Sequence, residues 1–248
     1  MNLKEVAIAV GGAAYMVGSL LMFRRIGASD TVMKVAMVGS LIVAVGGGVT
    51  ISDWLAKRRA AAMMRYAKEN GLSSDPGTEA FMNQLASYAL FSRGESRKVT
   101  NLSRGQSGAL SFAICDYEYT VGGGRARSTK EYTVCVIELA RLQVPHFFAR
   151  RQHDIGDFLG KLFGGADIDF DDDHAFSKAI VLQTRSAEAE TRRLFSPGVR
   201  AVFTALSKKS PEVEGLEDKL IFHYGQRLAV ARLNELVDDA LTVARSLG

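Results

Sequence analysis

The hydrophobic pattern divides the chain into two regimes. Val6 to Phe23 and Val35 to Ile51 are uncharged apolar runs. At 1.5 Å per residue each covers roughly 25–27 Å, close to a hydrocarbon thickness of about 30 Å. Together they predict a transmembrane helical hairpin over residues 1–56, with spans at about 6–23 and 35–55. Trp54 then falls at the lipid–water boundary, where amphipathic rings gather. Small residues recur four apart on the second run (Ala36, Ser40, Ala44, Gly48) and form a stripe on the first (Ala7, Gly11, Ala14, Gly18). Such stripes let helix backbones approach closely, so the spans are expected to pack on each other or on another membrane subunit.

Beyond residue 56 the period changes repeatedly. Residues 56–70 continue as a helix ended by Gly71, and 73–77 read as a turn. Thr78 to about Phe91 predicts a helix with Phe81, Leu85 and Tyr88 on one side. Ser107–Val121 and Arg127–Ala140 alternate and are rich in β-branched and aromatic residues, so they read as a β-hairpin around Gly122-Gly123-Gly124. Shorter strands are expected over Ser96–Leu102 and His146–Arg150. Asp154 to Gly164 is a short amphipathic helix whose Ile155, Phe158, Leu159, Leu162 and Phe163 are expected to pack on the sheet. Asp167–Phe170 and Ala175–Gln183 read as strands around an acidic turn. Ser186–Phe195 is helical, and Ser196-Pro197 caps a helix that turns Val199, Val202, Phe203 and Leu206 inward. Leu220–Tyr224 is a last strand. Gln226–Leu247 is a closing helix striped by Leu233, Leu236, Val237, Ala240, Leu241 and Ala244. Strands grouped early and helices late predict an α+β domain over 57–248, a mostly antiparallel sheet packed with helices.

Charge adds orientation. The loop between the runs carries Arg24, Arg25 and Lys34, whereas the outer flanks carry Lys4, Lys57, Arg58, Arg59, Arg65 and Lys68. That asymmetry places both termini in the cytoplasm. Residues 57–151 hold 15 Lys/Arg against 8 Asp/Glu, net +7, and residues 152–248 hold 12 against 16, net −4. The basic half suits an anionic leaflet. No dense basic stripe with interleaved aromatics is present, which argues against nucleic acid. With two cysteines in 248 residues no disulfide framework is expected.

Candidate chemistry is thin. Asp167, Asp169, Asp171, Asp172 and Asp173 precede His174. A calcium loop begun at Asp167 needs Gly at its sixth position and Glu at its twelfth, where this chain has Asp172 and Lys178. The stretch is a solvated acidic turn or an unconventional divalent site on Asp169, Asp171 and His174. Cys115 and Cys135 become direct neighbours if the hairpin pairing centres on Arg125, though two thiols alone make a poor zinc site. The four histidines show no ligand spacing. The Gly-rich tip lacks the following helix that a phosphate cradle requires, so Arg125 and Arg127 are candidates for contact with lipid or a partner. No catalytic residue and no cofactor is expected.

Asp116-Tyr117-Glu118-Tyr119, followed by Gly122, Gly124, Arg127, Thr129 and Thr133-Val134, resembles a D-Y-x-Y…G-x-G-x-x-R-x-T pattern of uncharacterised bacterial membrane proteins with two N-terminal spans. Phe91-Ser92, Gly94, Asn101, Asp167-Ile168-Asp169-Phe170, Arg193 and Phe195 are similar too. The resemblance implies a bacterial inner-membrane protein and brings no activity, cofactor or catalytic residue. Three functions compete: a membrane-anchored accessory or scaffold protein that binds another membrane protein, a sensor of a lipid headgroup or small anion, and a metal-dependent hydrolase at the acidic turn. Membrane lipids are expected partners in each, and a homo-oligomer is left open.

Overall fold

A computed structural model describes residues 52–139, 142–152 and 167–248, with the side chain of Arg125 outside that description. The two apolar runs, their small-residue stripes (Ala7, Gly11, Ala14, Gly18 and Ala36, Ser40, Ala44, Gly48) and the amphipathic segment Asp154–Gly164 lie outside the described residues. Among the described residues no helix is long and apolar enough to cross a membrane.

Residues 52–69 form helix α1, and Gly71 at φ +66° turns the chain out of it. Residues Met64 to Gly248 form one compact unit. It is built on one antiparallel sheet of eight strands: β1 (Ser73–Ser74), β2 (Glu95–Ser107), β3 (Leu110–Val121), β4 (Ser128–Glu138), β5 (Val144–Arg151), β6 (Ile180–Thr184), β7 (Glu212–Glu217) and β8 (Lys219–His223). Their spatial order is β1-β2-β3-β4-β8-β7-β5-β6. Helices α2 (Thr78–Gln84), α3 (His174–Ala179), α4 (Glu188–Leu194), α5 (Pro197–Leu206) and α6 (Leu233–Leu247) complete it, so the α+β expectation holds for this part of the chain.

Alternation gives the sheet two apolar faces. On the first, Tyr117, Tyr119, Tyr132, Val134, Val136 and Ile221 are buried with Phe81, Leu85, Tyr88, Leu90 and Phe91. Helix α2 stops at Gln84, short of Phe91. Leu85, Tyr88, Ala89, Leu90 and Phe91 are all buried, and no single helical stripe can bury four consecutive residues at 88–91. The chain runs in turns there instead. On the second face Phe147, Phe176, Phe195 and Phe203 meet edge-to-face or tilted, with centroids 5.0 to 6.0 Å apart. Helix α6 packs on β4 and β8, and its stripe is buried from Leu233 to Leu247 as expected. In α5, Val199 and Phe203 are buried, while Val202 and Leu206 are half-buried.

Four sequence expectations are corrected. Pairing across the β3–β4 hairpin sets Cys115 opposite Val134 and Ile114 opposite Cys135. A shift of one residue moves a side chain to the other face, so the two thiols lie on opposite sides of the sheet. The loop is a six-residue one containing a 3-10 turn at Gly124–Ala126. Residues 174–179 are helical, not extended, because the Asp173 carboxylate accepts from the Phe176 backbone N–H at 3.0 Å and caps a turn that buries Phe176. Strand β7 has no counterpart in the sequence reading. Finally, the closing helix begins at Leu233, after a 3-10 turn at Val230–Arg232.

Candidate functional site

Strand β7 carries Glu212 and Glu214 at alternate positions, so both carboxylates point to the same sheet face. Register places Glu212 beside His223 and Arg150, and Glu214 beside Ile221 and Phe148. Both glutamates are buried, as are His223 and Arg93. On the opposite side of β7, Gly215 leaves room for the Phe147 ring, whose Cζ would stand 2.7 Å from any added Cβ.

Glu214 is tied from two directions. The Ala89 backbone N–H donates to both carboxylate oxygens at 3.0 and 2.8 Å, and His146 Nε2 lies 2.8 Å from Oε1. The carboxylate therefore fastens the turn segment after α2 to the middle of the sheet. Ser186 does not complete a nucleophilic triad. Its hydroxyl accepts from the His146 backbone N–H at 2.8 Å and is thereby used as a turn anchor. Nearby, Arg93 Nη1 donates to the Tyr119 hydroxyl at 3.4 Å, and the Tyr119 and Tyr132 hydroxyls stand 3.2 Å apart. Burial pushes the His223 imidazole down to about 3, and the charge of Arg93 adds to the effect. Its Nδ1 accepts from the Gly225 N–H at 3.0 Å, which the neutral ring allows. Burial, helped by the hydrogen bond shared with the Tyr119 hydroxyl, holds the Tyr132 phenol far above its ordinary range.

A second buried network gathers the residues of the D-Y-x-Y pattern. Asp116 is fully buried and accepts from Asn101 Nδ2 at 2.8 Å and from Thr133 Oγ1 at 3.0 Å. Thr133 Oγ1 in turn accepts from the Leu228 N–H at 3.0 Å. Asn101 sits at φ +55° in a β2 bulge, a conformation Asn tolerates. Phe91 lies tilted against Tyr117 with ring centres 4.4 Å apart, and Tyr119 lies parallel to Tyr132 at 5.7 Å. These residues act as a fastener between β2, β3, β4 and the chain leading to α6.

The acidic turn is partly neutralised. Arg200, buried on α5, donates to Asp172 at 2.7 Å and to Asp173 at 3.1 Å, and stacks over Phe170 at 4.3 Å. Its bond holds the Asp172 carboxyl below the usual carboxylate range. Arg192 donates to the Asp169 carbonyl at 2.7 Å, and Gln183 to the Asp167 carboxylate at 2.9 Å. Asp169, Asp171 and His174 are exposed. Among the described residues no group of three or more His, Cys, Asp or Glu is disposed to hold a metal. At the hairpin tip Arg127 donates to Ser96 Oγ at 3.1 Å. Cys115 and Cys135 are free and buried, and burial raises both thiols well above their ordinary value. An open depression of about 480 Å³ lies between β1, β2, β3 and β4, lined by Ser73, Arg104, Gln106, Ser111, Phe112 and Glu138. There Arg104 pairs with Asp75 at 2.7 Å.

The Glu214–His146 tie escaped the sequence reading because E-V-E-G-L-E looks like solvated loop. The signal present was its period of two, running into the apolar stretch Leu220–Phe222. No family model matches the chain, and no curated protein does either. The fold, however, is shared with a solved structure, the mycobacterial trehalose monomycolate transport factor A, TtfA: TM-score 0.52 at 12% identity, covering 76% of this chain and 93% of that one.

Proposed function

We propose that this chain is an accessory or scaffold protein of the bacterial inner membrane. Residues 1–56 anchor it as a two-span hairpin, both termini lie in the cytoplasm, and the domain from residue 57 onward binds another membrane protein. The observation that carries this reading is the pair of uncharged apolar runs with basic outer flanks placed directly before the folded domain. Within the domain, the groups best suited to chemistry are engaged in fastening the fold: Glu214 to Ala89 and His146, Asp116 to Asn101 and Thr133, Asp172 and Asp173 to Arg200. The shared fold with a mycobacterial transport factor supports an accessory role beside a membrane transport apparatus.

Affinity purification of the full chain from mildly solubilised membranes tests this. An integral membrane protein should co-purify in constant ratio, and in-membrane crosslinking from the domain surface should capture the same protein. A chain that elutes alone, and crosslinks only to itself, would remove the scaffold reading.

A further inference from the structure

Helix α1 presents two unlike faces. Met63 and Ala67 are buried on one side. With about 100° of turn per residue, Trp54, Lys57, Arg58, Met64, Arg65 and Lys68 fall within one outward arc of about 120°, and all six are exposed. Asp53 and Glu69 stand at its two margins, and no acidic residue lies inside it. Trp54 is 53% and Met64 65% exposed, two of the three large hydrophobic residues that are exposed among those described. The Arg58 guanidinium lies over the Trp54 ring, 4.6 Å from its centre.

We propose that this outward face of α1 lies against the anionic surface of the bilayer, with Trp54 and Met64 entering the headgroup layer and the four cations pairing with lipid phosphates. The inference rests on the anchored reading above, and says where on the domain the lipid sits. Charge complementarity selects this occupant, since four cations on one arc match an anionic leaflet. The interleaving of Trp and Met with cations along the helix fits a plane of headgroups. Lys and Arg stems can lie along the boundary while their heads reach phosphate. Continuity adds to this, because the apolar run ends at Ile51, three residues before Trp54.

The chain carries its own probe, since Trp54 is its one tryptophan. A second probe is a polarity-sensitive dye on Met64→Cys, about 15 Å further along the helix at 1.5 Å per residue. The native thiols are both buried and leave that label selective. The full chain is placed in phosphatidylcholine nanodiscs with and without phosphatidylglycerol. The dye at Met64 should shift to the blue only with the anionic lipid and return on adding salt, whereas Trp54, at the end of the anchor, should be blue-shifted in both lipids and shift further with the anionic one. Each cation removed should lower the ratio of surface-bound to free helix about fivefold. The reversal Arg58→Glu/Arg65→Glu/Lys68→Glu should therefore abolish the shift at unchanged circular dichroism. Should that variant misfold, the salt titration of the unaltered residues decides. A Met64 dye that reads the same in both lipids, or ignores salt, overturns the proposal. So does a dye that responds only when an acidic protein fraction is added. Retention of the chain in neutral discs is scored separately. A retained chain whose probes ignore lipid charge loses this contact alone, whereas a chain that is not retained loses the anchor and the contact with it.

Discussion

Removing the Glu214 carboxylate tests whether that buried charge fastens the domain. In Glu214→Ala the Ala89 N–H loses an acceptor that it now shares between two oxygens at 3.0 and 2.8 Å, and His146 loses one of its contacts, at 2.8 Å. A buried donor stripped of its acceptor costs about 1–3 kcal/mol. Two such losses, with the one methylene removed at about 0.8 kcal/mol, give an expected destabilisation of about 3–7 kcal/mol. Glu214→Gln should cost far less, about 1 kcal/mol, because its carbonyl oxygen can still accept from Ala89 and the imidazole can change tautomer to accept from the amide. The assay is urea unfolding of the full chain in mild detergent, followed by far-ultraviolet circular dichroism. Added information comes from the cycle with His146→Leu. If the pair acts as a unit, the double variant should be less costly than the sum of the singles. An Ala variant within 1 kcal/mol of the parent would refute the reasoning, as would Gln and Ala variants of equal cost.

The depressed imidazole of His223 means that the unfolded chain takes up a proton before the folded one does. Its contribution to stability is therefore complete above pH 6.5 and is lost as pH falls towards about 3, with a slope of up to about 1.4 kcal/mol per pH unit. His223→Gln should flatten that part of the profile, and an unchanged slope would assign the acid sensitivity to other groups. Gly94 lies at φ +59°, where an added Cβ would stand 2.6 Å from a Tyr119 ring carbon and closer still to the Thr120 carbonyl oxygen. Gly94→Ala should cost about 2 kcal/mol or more, read as a lower urea midpoint. Both thiols should resist a membrane-permeant maleimide until urea is added, since each is buried. Fast labelling of either in the native chain would contradict the packing. A reporter fused after Gly248 should be active only as a cytoplasmic one, and periplasmic activity there would reverse the topology.

Where one local rule dominated, the sequence was legible. The β3–β4 hairpin announced itself through alternation and β-branched residues, α5 through Ser196-Pro197, and α6 through a stripe that repeats every three to four residues. Legibility failed where tertiary contacts overrode local preference. Glu is a poor strand former, yet Glu214 in β7 is held by His146 and Ala89, 68 and 125 residues away, and no local pattern reveals those bonds. Residues 175–179 carry mixed propensity, and the cap from Asp173 settles them as helix. The register of the cysteines depended on whether the loop held an odd or even number of residues, which a Gly-rich sequence leaves open. For the candidate sites the sequence identified the acidic turn but not its neutralisation, because Arg200 lies 27 residues beyond Asp173. The D-Y-x-Y pattern was visible as a motif, and its meaning, a buried fastener around Asp116, needed three dimensions.

Among the described residues strand β2 is an outer strand over most of its length, since β1 pairs only with Ser103 and Arg104. Its free portion is interrupted twice, at Ser96 and Asn101, both with positive φ, and the pairing with β3 shifts at both places. A broken, bent backbone offers no continuous row of N–H and C=O groups. This edge is thus a poor template for a strand from another molecule, whether a second copy, a misfolded neighbour or an extended peptide. At high local concentration, the domain is protected along this edge from growing into shared sheets. Whatever docks along this edge must read side chains rather than add a strand.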